Sequence, residues 1–149
     1  MGKEVRTTTQ IDVPPQRVWD TVMDPDRFGD WVTIHRGVKK ISDNPLEVGS
    51  TLEQRLCLRG VSFTVKWTVV ELDEPNLVVM EGKGPAHSKA ITRDELTAKN
   101  GGTSFAYVNE FKTPMGALGA AAGRVLVGGV SEREAKASLR KLKELLEDS

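Results

Sequence analysis

Between Val61 and Val69 apolar and polar residues alternate without a break. Val61, Phe63, Val65, Trp67 and Val69 stand against Ser62, Thr64, Lys66 and Thr68. A period of two predicts a strand with one buried face. Weaker versions of the pattern occupy 37–42, 50–59, 76–83, 86–97 and 102–112. The turn-forming clusters Ser42-Asp43-Asn44-Pro45, Arg59-Gly60, Asp73-Glu74-Pro75-Asn76, Lys83-Gly84-Pro85 and Asn100-Gly101-Gly102 separate them. Connections this short imply an antiparallel meander, because parallel neighbours need long crossovers. Ahead of the meander, Val5, Thr7, Thr9, Ile11 and Val13 predict a further strand over Glu4 to Val13, ended by Pro14-Pro15. Pro15 suits the first turn of a helix carrying Val18, Trp19 and Val22; Asp24-Pro25 breaks it, and Asp26 to Val32 predicts a second short helix.

The tail changes period. Leu118, Ala121, Ala122, Val125 and Leu126 recur at helical spacing within Met115 to Val127, and Gly128-Gly129 interrupts the run. Ser131-Glu132-Arg133-Glu134 matches a capping box, and Ala135, Leu139, Leu142 and Leu146 form one apolar face beyond it. Glu132–Lys136, Arg140–Glu144 and Lys143–Glu147 have the i,i+4 spacing of helix ion pairs. One long C-terminal helix is expected, kinked or restarted at the two glycines.

The 149 residues fit a single domain, 1–149. No apolar stretch reaches the length of a membrane span. The start MGKEVRTTTQ lacks an apolar core, so no secretory signal is expected. A lone Cys57 and two isolated His leave no disulfide and no metal site in view, and point to a reducing, cytoplasmic setting. The 21 basic and 21 acidic side chains are spread evenly: none of the segments 1–31, 32–60, 61–113 and 114–149 departs from neutrality by more than two charges. A nucleic-acid binder or lipid-surface binder usually carries a basic stripe or basic amphipathic segment, and no segment reads as one.

The run Ile11-Asp12-Val13-Pro14-Pro15-Gln16-Arg17-Val18-Trp19-Asp20, followed by Asp24-Pro25 and Trp31, resembles the opening of the START-like or Bet v 1-like (SRPBCC) superfamily. It is most similar to the bacterial polyketide cyclase/dehydrase and lipid-transport branch. Gly49, Gly102-Thr103 and Phe111-Lys112-Thr113-Pro114 match at their places, so the resemblance covers essentially the whole chain. It implies an α+β helix-grip fold: a curved antiparallel seven-stranded sheet around a long C-terminal helix, with two short N-terminal helices. It also implies a cavity between sheet and helix for a small hydrophobic or aromatic ligand (lipid, quinone or polyketide-like). The D-x-R-x-G-G pattern of the related co-chaperone branch and the Phe-Leu-Pro-Trp segment of the coenzyme-Q-binding branch are absent.

Placing charges outside assigns the strand faces. Leu52, Gln54, Leu56 and Leu58 face in; so do Phe63, Val65 and Trp67, and Val78 and Met80. On the last two strands the inward sets are Ser88, Ala90, Thr92, Asp94 and Leu96, and Thr103, Phe105, Tyr107, Asn109 and Phe111. The small side chains of 86–92, with the Gly- and Ala-rich 116–123 stretch, leave either unfilled volume or a close approach of helix and sheet. The expected lining is Trp31, Gln54, Leu56, Phe63, Trp67, Met80, Ser88, Thr92, Tyr107, Asn109, Phe111, Met115, Leu118 and Ala122. Inward polar groups need one another or a ligand; Tyr107 and Asn109 are the stronger candidates for a ligand, while Gln54 and Asp94 are as well served by other polar groups or by solvent at the open strand ends. His87 reads as surface, Trp19 as core. No G-x-S-x-G, H-E-x-x-H or phosphate-loop motif occurs. No cofactor is implied and catalytic residues stay unassigned, although in a cyclase-like enzyme Tyr107, Asn109 and Asp94 could polarise carbonyls and guide enolisation. A monomer or weak homodimer is expected.

Overall fold

The computed structural model describes residues 2–58, 60–112 and 132–148, with the backbone alone at Gly2, Lys3, Leu58, Ala86 and Phe111. Strand β1 runs Gly2–Ile11. Pro14, in extended backbone, starts helix α1 (Pro15–Val22), where Pro15 occupies a position whose N–H would have no helical partner. Val18, Trp19, Thr21 and Val22 are its buried side. The Asp24 carboxylate then accepts the Asp26 N–H at 3.0 Å and opens a 3-10 turn, Pro25–Arg27. That turn runs into a single helical turn, α2 (Phe28–Trp31), so the helix expected over 26–32 is split in two.

Strands β2 (His35–Lys39), β3 (Thr51–Leu58), β4 (Val61–Asp73), β5 (Leu77–Lys83), β6 (Lys89–Lys99) and β7 (Gly102–Lys112) follow. They form an antiparallel meander, and β1 pairs along β7 to give the order β1-β7-β6-β5-β4-β3-β2. Two details depart from the sequence reading. The start of β6 moves to Lys89 because Pro85–His87 forms a 3-10 turn, in which both the Ser88 N–H and its hydroxyl donate to the Pro85 carbonyl (3.0 and 2.6 Å). β4 also outlasts its regular alternation. Its register with β5 steps from Val69↔Met80 to Glu71↔Val79, so Val70 is an inserted residue. It is left 40% exposed, and the phase flips so that Leu72 packs on the core.

Helix α3 (Glu132–Glu147) buries Ala135, Ser138, Leu139, Leu142 and Leu146, the face expected of it. Ion pairs join Glu132 to Lys136 (2.9 Å) and Lys143 to Glu147 (2.6 Å). The helix is tied to the first third of the chain. The Thr33 N–H donates to Ser138 Oγ (3.1 Å), Lys143 Nζ to the Gln10 carbonyl (2.6 Å), and the Asp12 N–H to Glu147 (2.9 Å). The carboxylate of Glu134, expected in a capping box, accepts from the Thr33 hydroxyl (3.0 Å). The helical stretch expected over Met115–Val127, the Gly128-Gly129 break and Ser131 lie outside the described residues. The curled seven-stranded sheet with, among the described residues, three helices, the last C-terminal, is the α+β helix-grip architecture.

Candidate functional site

The register of the sheet brings distant residues into two adjacent rows on its inner face. Met80, Thr92 and Asn109 are directly paired across β5, β6 and β7; two residues further along, so are Val78, Asp94 and Tyr107. Gln54 and Leu56 on β3 and Trp67 on β4 continue the wall. Val22 of α1, Phe28 and Trp31 of α2, and Val32 and Ile34 after it close over the rows. All of these but Val78 line a pocket of about 70 Å³ that is partly open to solvent. A single buried water needs roughly 10–15 Å³ on this scale, and a cavity of about 150 Å³ has been seen to take benzene. The space therefore holds several waters or part of a small molecule.

The aromatic side of the pocket is a packed trio. Phe105 stacks on Tyr107 (centroids 6.1 Å apart, planes 22°), and Trp31 stands edge-on to both at 6.3 and 5.5 Å. On the other side Trp67 pairs in register with Gly82. A Cβ there would come 2.5 Å from Val65 Cγ1 and 2.8 Å from the Trp67 ring, so the glycine is what lets the indole lie across the neighbouring strand.

The polar groups divide into a satisfied set and an unsatisfied one. Trp67 Nε1 donates to Gln54 Oε1 (2.9 Å), and Gln54 Nε2 lies 2.9 Å from His35 Nδ1. An indole nitrogen only donates, so the amide oxygen must face Trp67 and the amide NH2 must donate to His35. His35 Nδ1 is then an acceptor, and the ring proton is on Nε2. Burial, with Arg36 adding to it, holds the His35 pKa below its usual value, which keeps the ring neutral as the relay requires. By contrast Trp31 Nε1, Asp94 Oδ1 and Asn109 Nδ2 are buried with no hydrogen-bond partner among the described residues. All three belong to residues lining the pocket. Burial pushes the Asp94 carboxyl up to about 7, so near neutrality it can give or take a proton. The Tyr107 phenol is raised by burial and further by the charge of Asp94; the Asn109 side chain opposes this as a nearby polar group, without a hydrogen bond of good geometry to the phenol.

Of the residues expected at the lining, Trp31, Gln54, Leu56, Trp67, Met80, Thr92, Tyr107 and Asn109 meet around this one pocket. Phe63 and Ser88 do not border it. Phe63 is buried in the core opposite Leu56, and Ser88 is held in the turn before β6. The Phe111 side chain and Met115, Leu118 and Ala122 lie outside what is described. The two residues expected to be satisfied by other polar groups or by solvent differ: Gln54 is partnered, and Asp94 Oδ1 is buried without a partner among the described residues. His35 was missed because it reads as a loop residue. The signal available was Gln54, an inward amide that demands a partner. His87 is exposed, on the turn rather than on a strand, and Trp19 is core. Among the described residues no group of His, Cys, Asp and Glu is placed to hold a metal ion.

The cavity expected between sheet and C-terminal helix is bordered, among the described residues, by the sheet and by α1, α2 and the residues after them, with none from α3. The sequence match decides the family: residues 3–147 fit the one described as polyketide cyclase / dehydrase and lipid transport. The chain belongs to that family. Among relatives of this family member is an uncharacterized protein of Mycobacterium tuberculosis, 27% identical over 130 residues that cover 86% of this chain and 91% of that one. Among solved structures, the Zhui aromatase/cyclase from Streptomyces sp. R1128 superposes with a TM-score of 0.81 at 16% identity, over 99% of this chain and 94% of the other. Ara h 8.0201 superposes over the full length of both chains with a TM-score of 0.72 at 12% identity. At such identities the likeness is one of fold, and the polyketide cyclase family member shares with these structures its curled antiparallel sheet and C-terminal helix.

Proposed function

We propose that the protein binds a small, largely apolar molecule (lipid, quinone or polyketide-like) in the pocket bounded by β3–β7, α1 and α2. The ligand's polar group sits against Trp31, Asp94 and Asn109. The observation that carries this is the set of three buried, unpartnered polar atoms on residues lining one pocket. Each such group costs roughly 1–3 kcal/mol when left unsatisfied, so a ligand that reaches them recovers what folding gave up. Two of the three are N–H donors and the third is a carboxyl oxygen, which fits a carbonyl or hydroxyl rather than a cation. The expected home is the cytoplasm, supported by the single Cys57. The chain is expected to act as a monomer or weak homodimer. Native mass spectrometry of the purified protein tests the reading: a retained small molecule is expected, with occupancy lost in Asn109→Leu and Asp94→Leu. Equal occupancy in wild type and both variants contradicts it.

One observation favours a second reading, catalysis of the cyclase/dehydrase type. Asp94 is a buried carboxyl poised near neutrality beside a phenol. As carboxylate it can take the α-proton of a β-ketone while the Trp31 and Asn109 N–H groups hold the developing enolate oxygen; as acid it returns the proton. Turnover of a poly-β-ketone that is lost in Asp94→Asn, with ligand retention intact, separates catalysis from binding.

A further inference from the structure

The strand register also assembles something on the outer face of the sheet. Lys66 on β4 is paired with Lys83 on β5, Lys83 with Lys89 on β6, and Lys89 with Lys112 on β7. All four side chains are exposed and line one shallow depression of about 550 Å³. Four ammonium groups therefore stand in a row across four adjacent strands, about 14 Å from first to last at the usual strand spacing. Like charges directly opposite each other destabilise a sheet. Glu110 lies 3.3 Å from Lys112, and Glu81 borders the depression. Lys66, Lys83 and Lys89 have no ion-pair partner among the described residues. Glu53 stands opposite Lys66 across the β3–β4 pair, where it is ion-paired to Lys40. The row is a basic stripe, three of its four lysines without an ion pair among the described residues, on a chain of zero net charge.

We infer that this face docks on an anionic lipid surface. Apolar side chains accompany the lysines: Val70, 40% exposed, and Ile91 line the same depression. The aromatic side chains described are turned inward, so the face offers no stacking platform for the bases of a nucleic acid. Lysine ammoniums act as point charges on flexible stems, suited to mobile headgroups rather than to a fixed bidentate site. The inference stands apart from the inward pocket and does not need it.

Flotation with vesicles tests it. The full chain is expected to float with phosphatidylcholine vesicles containing about 30% phosphatidylserine, to stay behind with pure phosphatidylcholine, and to be released by about 0.5 M sodium chloride. Each lysine near such a surface contributes about fivefold in partitioning, so K66Q/K83Q/K89Q is expected to lose on the order of 100-fold. Lys141→Gln, an exposed lysine on α3, should change nothing. The triple variant should melt no lower than wild type at low salt, since it removes facing like charges, and this shows that lost flotation is not lost folding. Equal flotation with both vesicles, or flotation untouched by the triple variant, overturns the inference. So does release by inorganic phosphate at an ionic strength where chloride has no effect, which would mark a site for the free anion.

Discussion

Asp94→Asn is expected to remove most of a pH dependence of stability that the wild-type chain shows between about pH 4 and 7. The folded carboxyl titrates at about 7 because burial disfavours its charged form, against a model-peptide value of 3.8. Below 3.8 the group is protonated in both states and costs nothing. As the pH rises the unfolded chain releases the proton while the folded chain keeps it. Stability then falls by about 1.4 kcal/mol for each pH unit, until the folded group ionises too near 7. Above that the full penalty stands, up to roughly 4 kcal/mol. Asparagine has the same shape and no charge to bury. Denaturant titrations from pH 4 to 8 should show the difference in stability between the two proteins shrinking toward the acid end, with the variant the more stable by several kcal/mol at pH 8. Parallel curves for the two across that range would mean that Asp94 is not held in a desolvating site.

Phe105→Ala carries the next largest effect, a loss of about 3–5 kcal/mol. Phe105 is fully buried and joins the core to the pocket wall, stacked on Tyr107 and met edge-on by Trp31. Its removal leaves a void behind Trp31 and Tyr107, and aromatic pairs contribute about 0.5–1.5 kcal/mol beyond the buried area. Against a typical total stability of about 5–15 kcal/mol this is a large fraction. The check is a shifted urea midpoint with an unchanged slope, and a much smaller shift for Phe105→Leu, which keeps most of the volume. A loss under about 1 kcal/mol in Phe105→Ala would show a loosely packed wall.

The order of elements was legible because each announces itself locally. The β4 alternation, the Pro14-Pro15 stop and the Leu139–Leu142–Leu146 face all depend on near neighbours in the chain. What stayed hidden depends on register. Nothing in the sequence says that Val70 is an inserted residue or that Gly82 faces the Trp67 ring. The same limit explains the pocket. Putting charges outside identified Gln54, Asp94, Tyr107 and Asn109 as inward, yet which of them would find partners turned on His35, twenty residues from Gln54 in round terms and opposite Leu56 across the β2–β3 pair. It explains the lysines too. Each of four strands contributes one, so a count along the chain stays neutral while pairing sets them side by side.

The central claim is that the pocket wants a polar group as well as an apolar body, and phenol against toluene tests it most directly. The two differ by a hydroxyl in place of a methyl, and a purely apolar pocket prefers toluene because phenol is the better solvated in water. With Trp31 Nε1, Asp94 and Asn109 Nδ2 unpartnered at the wall, calorimetric titration should show phenol binding at least about tenfold more tightly, the equivalent of satisfying one or two buried groups. Toluene binding as tightly as phenol, or more tightly, would contradict the account.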